Sequence, residues 1–145
     1  VGVSSGPILT PVLFGVPTIM TNFAPLSGRP HADNCLFIPK MLWLKDEQRY
    51  VTFEEALSSD LGQIFTSNGY EEKNIDLIDN SPEELKEIVV EMLDQLDGNM
   101  KYTDEDDQRQ NEVTILYKKY SGYGDLGRIG NTFLAKHANQ GRLQT

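Results

Sequence analysis

The chain is short of the residues that several kinds of site require. It has one cysteine, Cys35, and two histidines, His31 and His137, so it can close no internal disulfide and offers no His/Cys set at a metal-ligand spacing. A metal site is not expected. Basic residues are scarce too: 13 Lys and Arg against 22 Asp and Glu leave a net charge of −9. Binding to a polyanion relies on clustered cations that displace counterions, so a nucleic-acid partner is not expected either. No apolar run approaches the roughly 20 residues that span a bilayer, and no basic segment leads into an apolar stretch and a small-residue cleavage site. A cytoplasmic protein is the expectation.

What remains is ordinary for a globular domain: 145 residues, 39% of them hydrophobic and 24% charged, enough to bury one core. The charge is unevenly spread. Residues 1–45 hold Arg29, Lys40 and Lys45 against Asp33 alone, a balance of +2, whereas residues 46–145 carry a balance of −11. An anionic ligand is therefore expected near the N-terminal end.

Val1-Gly2-Val3 reads as the stump of a buried strand, with no initiator Met before it, and a truncation upstream is expected. Pro7 suits a first helical position and Gly15 the position past the end, so residues 7–14 are read as a short helix, bent at Pro11 or restarted from a Thr10 cap. Val16 to Thr21 is apolar and β-branched, as a strand covered on both faces would be. Residues 22–50 are rich in Pro and Gly and are read as a long loop, with Phe37, Ile38, Leu42 and Trp43 arguing against disorder. Thr52 and Glu55 have capping-box spacing and start a helix to about Phe65, and Ile75 to Ile78 is a strand. Ser81, Pro82 and Glu84 open a long helix with Leu85, Ile88, Val89, Met92, Leu93 and Leu96 on one face, stopped by Gly98. Thr103 with Asp104, Glu105 and Asp106 opens another, to about Tyr120, and Arg128 to His137 reads as a last short helix. The fold class expected is α/β: an incomplete Rossmann-like domain over residues 1–98, its parallel sheet flanked by helices, with a helical extension over 99–145.

The Ser4-Ser5-Gly6-Pro7 turn carries the chemistry. A glycine before a helix lets a phosphate approach the backbone, free N–H groups point at it, and two hydroxyls add donors. The turn follows an apolar strand, at the carboxyl edge where open α/β sheets take ligands. Read plainly, the same residues only cap a helix.

Val3-Ser4-Ser5-Gly6, then Leu13-Phe14-Gly15-Val16-Pro17 and a strand ending in Thr21-Asn22, resemble the donor-domain turn of GT-B glycosyltransferases. Leu36-Phe37-Ile38-Pro39-Lys40, Thr52-Phe53-Glu54-Glu55, Tyr70 to Ser81, and Arg128-Ile129-Gly130 with Phe133-Leu134 resemble a bacterial family of surface-polysaccharide glycosyltransferases. The resemblance implies a nucleotide-sugar donor, transfer to a glycan or lipid acceptor, and a missing N-terminal domain of the same enzyme that holds the acceptor and supplies the catalytic base. It also leaves room for peripheral membrane association of the full-length enzyme.

Within that resemblance the donor-binding set is Ser4, Ser5, Gly6, Pro7, Asn22, Arg29, Lys40 and Glu54, with catalytic residues unassigned and no cofactor or metal. Asn22, past the second strand, reaches for sugar or phosphate or else bonds its own backbone. Arg29 and Lys40 offset diphosphate charge or are simply solvated. Glu54 accepts from a sugar diol, Glu55 being taken by its capping box. Asp104 and Asp106 match a short metal-binding signature, but acids in a first helical turn are explained by the dipole. Gly122, Gly124 and Gly127 match a dinucleotide fingerprint literally, but the fingerprint needs a βαβ unit around it and no strand is read after it, so a flexible link between two C-terminal helices is the expectation. His31, Asp33 and Cys35 lie close in sequence, and Cys35 is read as a buried hydrophobe. Two rival functions stay open: a sugar-nucleotide epimerase on the same fold, and a non-catalytic α/β interaction domain.

Overall fold

The computed structural model describes residues 1–3, 6–28, 30, 32–121 and 127–142. β1 (Gly2–Val3) is followed by a 3-10 turn at Gly6–Ile8 and a five-residue helix, α1 (Leu9–Leu13). Gly15, at φ 69°, reverses the chain as only glycine does without strain, and β2 (Thr18–Phe23) returns parallel to β1 with Gly2 opposite Met20 and Val3 opposite Thr21. β3 (Cys35–Pro39) pairs parallel to β2 on its other side. The chain then runs through Lys40 directly into β4 (Met41–Leu44), which pairs antiparallel with β5 (Arg49–Tyr50).

α2 (Phe53–Ser58) opens on the expected Thr52–Glu55 capping box. A 3-10 turn at Asp60–Gln63, a helix α3 (Ser67–Glu72) and β6 (Ile75–Ile78) follow, β6 closing the second sheet antiparallel to β4. α4 (Pro82–Leu96) and α5 (Asp104–Tyr120) each start on a complete capping box, Ser81 with Glu84 and Thr103 with Asp106. β7 (Arg128–Ile129) joins the parallel sheet beside β3, and α6 (Asn131–Asn139) ends the described chain's regular structure.

The fold is thus α/β: a four-stranded parallel sheet in the order β1-β2-β3-β7, flanked by helices, with a three-stranded antiparallel sheet β5-β4-β6 attached through β3 and β4. Phe37, Ile38, Phe53, Val113, Tyr117 and Ile129 are fully buried in one core. Burial of each such side chain stabilises the fold by about 1.5–3 kcal/mol relative to exposure. Residues on both sides of position 98 share this core. No helix among the described residues is long and apolar enough to cross a membrane.

Several expectations are corrected. The stretch 22–50 is not a loop but holds β3, β4 and β5, because Cys35 to Ile38 is a short apolar run that fits the sheet interior. The second strand is Thr18–Phe23 rather than 16–21, so Asn22 lies inside it. Thr10 caps nothing. α1 starts after Ile8, and Pro11 falls in its first turn, where an N–H has no intrahelical partner to lose. The helix from Phe53 ends at Ser58 because Ser59 is extended and caps the next turn. Leu93 and Leu96 of α4 are exposed, Glu84 and Glu91 taking buried positions instead. Arg128 and Ile129 form a strand, not the start of a helix, so Gly127 leads from the stretch after α5 into β7 and not between two helices.

Candidate functional site

The register of β1 and β2 sets Val3 opposite Thr21, so β1 ends at the carboxyl edge of the parallel sheet, one residue before the level of Asn22. Ser4 and Ser5 lie outside the described residues, as do Arg29, His31, Gly122 and Gly124. Gly6 and Pro7 are exposed in the 3-10 turn, and a Cβ built on Gly6 would meet no heavy atom within 4 Å. The space over Gly6 is therefore open to a ligand. Ile8 instead covers Gly2, where a Cβ would come within 2.6 Å of its Cδ1. α1 has five residues and no side-chain cap, so its dipole is slight and adds little for an anion here.

Asn22 and Lys40 come to one corner. Asn22 has a left-handed φ of 49° where the β2–β3 register slips, a conformation that asparagine tolerates. Its amide N–H donates to Asn80 Oδ1 at 2.5 Å, and Asn80 returns its own N–H to Asn22 Oδ1 at 2.7 Å. Asn80 Nδ2 donates to the Pro39 carbonyl at 2.8 Å. Asn22 therefore spends its carboxamide oxygen on joining β2 to the turn before α4. Lys40 donates its backbone N–H to Phe23 O at 3.0 Å and pairs its ammonium with Asp79 at 2.5 Å. Glu54 sits elsewhere, against α5: its Oε1 accepts from the Tyr120 hydroxyl at 2.8 Å and Lys119 at 3.4 Å. The Tyr120 hydrogen bond, then Lys119, holds its carboxyl below the usual carboxylate range.

Beside the Asn80 corner is a cavity of about 180 Å³ that the sequence did not announce, lined by Asp79, Asn80, Ser81, Glu84, His137 and Arg142 among others. Glu84 accepts from Lys136 at 2.6 Å and, through its other oxygen, from the Ser81 N–H at 2.8 Å. Burial pushes its carboxyl up, but these bonds more than offset that and hold it below its ordinary range. His137 is 3% exposed, and burial, helped by the Arg142 charge, lowers its pKa to about 4. The ring is therefore neutral near pH 7. Arg142 Nη1 donates to His137 Nδ1 at 2.9 Å, which assigns the ring hydrogen to Nε2. The Arg142 guanidinium also stacks on Tyr50 at 3.6 Å. Glu84 lies too far from His137 and Arg142 in sequence for spacing to have joined them, while His137 and Arg142 are five positions apart.

A larger cleft of about 380 Å³ lies between α4 and the start of α6. There Glu91 accepts from the Tyr102 hydroxyl and the Asn131 N–H, each at 2.7 Å, and burial pushes its carboxyl up. Arg128 stacks on Tyr102 and donates to Asp107 at 2.8 Å.

Two sequence candidates are otherwise engaged. Burial pushes the Cys35 thiol up to about 12, so almost no thiolate exists at neutral pH, while Asp33 is exposed. Asp106 closes its own capping box and pairs with Arg109 at 3.1 Å. The chain matches no protein-family model, no curated protein and no solved structure.

Proposed function

We propose that this chain is the donor-binding part of a GT-B-type glycosyltransferase, holding the diphosphate of a nucleotide sugar at the turn between β1 and α1. One observation supports the reading: parallel pairing of Val3 with Thr21 ends β1 at the carboxyl edge of the sheet, and a Cβ on Gly6, three residues on, would meet no heavy atom within 4 Å. Open parallel sheets receive ligands at that edge. Backbone N–H groups and the Ser4 and Ser5 hydroxyls would donate to phosphate oxygens, with Pro7 fixing the start of the helical turn. Lys40, which follows the carboxyl end of β3, would exchange Asp79 for the growing charge on the departing nucleoside diphosphate, a gain made mainly in the transition state. Arg29 belongs to the same proposal as a second cation. Asn22 serves as the brace of the corner rather than as a sugar ligand, because its oxygen already accepts from Asn80. Glu54 is not part of the proposed donor site, since its carboxylate is bound to α5. The acceptor and the general base would come from a preceding domain of the same enzyme.

Calorimetric titration of the chain with UDP, GDP and TDP tests this. Binding of one of them, weakened about tenfold by Gly6→Val at unchanged melting temperature, is expected. The added side chain enters open space, so it obstructs a ligand without disturbing the fold. Absence of heat with all three at millimolar concentration refutes the proposal and favours a non-catalytic domain.

A further inference from the structure

In the cavity of about 180 Å³ beside Asn80, one lining cation is left without a carboxylate partner among the described residues. Each of its carboxylates already has a cation: Asp79 pairs with Lys40 at 2.5 Å and Glu84 with Lys136 at 2.6 Å. Arg142 makes no ion pair among the described residues. Its guanidinium gives one N–H to a neutral imidazole and stacks on Tyr50, which fixes its plane and leaves further donors of the fork unused. Such a cation is notable in a chain of net charge −9.

A second observation points the same way. His137 is 3% exposed, and its Nε2, the nitrogen left holding the ring hydrogen, has no hydrogen-bond partner. The nearest carboxylate oxygen, Glu84 Oε1, is 3.4 Å off and held by Lys136. Buried donors in folded proteins are nearly always satisfied, so this N–H, faced only by that long contact, can take a stronger acceptor. Lys136, half exposed, has two ammonium hydrogens beyond the one given to Glu84.

We propose that this cavity binds a small oxyanion, a phosphate or carboxylate group, between the Arg142 guanidinium, the His137 Nε2–H and the Lys136 ammonium. The site is separate from the donor turn, because no residue of 1–23 lines it among the described residues, and the two meet only at Asp79, the carboxylate that Lys40 would leave on donor binding. It would take an acidic group borne by a substrate or a free anion.

NMR titration of the whole isotopically labelled chain tests it, with inorganic phosphate in one arm and glucuronate in the other. Saturable shifts at Ser81, His137 and Arg142 are expected by roughly 50 mM anion, with a rise in the His137 ring pKa and no such change under chloride at matched ionic strength. Saturation by phosphate identifies a phosphoryl ligand, and saturation by glucuronate alone identifies a carboxylate. Arg142→Gln should weaken binding at least about tenfold and Arg142→Lys less. No saturation in either arm, an equal response to chloride, or undiminished binding in folded Arg142→Gln overturns the proposal. Where that variant does not fold, the two wild-type arms decide.

Discussion

Replacing Asn80 by alanine should cost this protein about 2–4 kcal/mol. Asn80 is 8% exposed and its side chain makes two bonds, accepting from the Asn22 N–H at 2.5 Å and donating to the Pro39 carbonyl at 2.8 Å. Alanine leaves a donor in β2 and an acceptor in β3 without partners at a packed corner, each worth about 1–2 kcal/mol once some water is admitted. For a domain of this size that corresponds to a fall in melting temperature of about 5–15 °C. Urea unfolding followed by circular dichroism measures the loss directly, and an unchanged slope shows that stability alone has changed. Asn80→Asp is the sharper variant. It keeps the acceptor for Asn22 but turns a carboxylate oxygen toward the Pro39 carbonyl, so it should be as damaging as alanine at neutral pH and recover toward pH 4 as the carboxyl gains a proton to donate. Asn22→Gly relieves the left-handed φ of 49° yet removes the oxygen that Asn80 N–H needs, so the two sites must couple. A loss below about 0.5 kcal/mol for Asn80→Ala, or strict additivity of Asn22→Gly with Asn80→Ala, would refute this account of the corner.

Acid should weaken the fold through His137. Its pKa falls from 6.5 to about 4 on folding, so the unfolded chain takes up the proton first and stability present above pH 6.5 is lost as pH drops toward 4. The contribution is roughly 3 kcal/mol, read as the narrowing difference between wild type and His137→Gln in urea melts at pH 7.5 and pH 4.5; a pH-independent difference contradicts it. Gly127→Ala should destabilise by about 1–3 kcal/mol, since its Cβ would stand 2.8 Å from the Cys35 carbonyl oxygen and press β7 away from β3; an unchanged unfolding midpoint would show that the chain yields there freely.

The elements legible in the sequence were those whose signals are local. Ser81, Pro82, Glu84 and Gly98 mark both ends of α4 within a few residues of themselves, and Thr103 with Asp106 does the same for the start of α5. β3 was harder because Pro39 and the surrounding Pro and Gly residues suggest loop, while the evidence for a strand lies in β2, across the sheet. β7 has two residues, too few for any periodicity, and its partner β3 is some ninety positions earlier. The site divides in the same way. The turn at Gly6 could be read from its own residues and from the apolar strand before it. The engagement of Glu54 by Tyr120, of Asn22 by Asn80 and of Glu84 by Lys136 beside His137 depends on which elements meet, and nothing within a few positions of those residues encodes it.

Residues 35–44 pass from one sheet into the other with Lys40 as the sole residue between β3 and β4, and the Lys40 N–H is itself tied to Phe23. The two sheets consequently share a covalent spine. They have no interdomain hinge at this junction, and a pull on the β5 hairpin would be felt at Cys35 before any loop could absorb it.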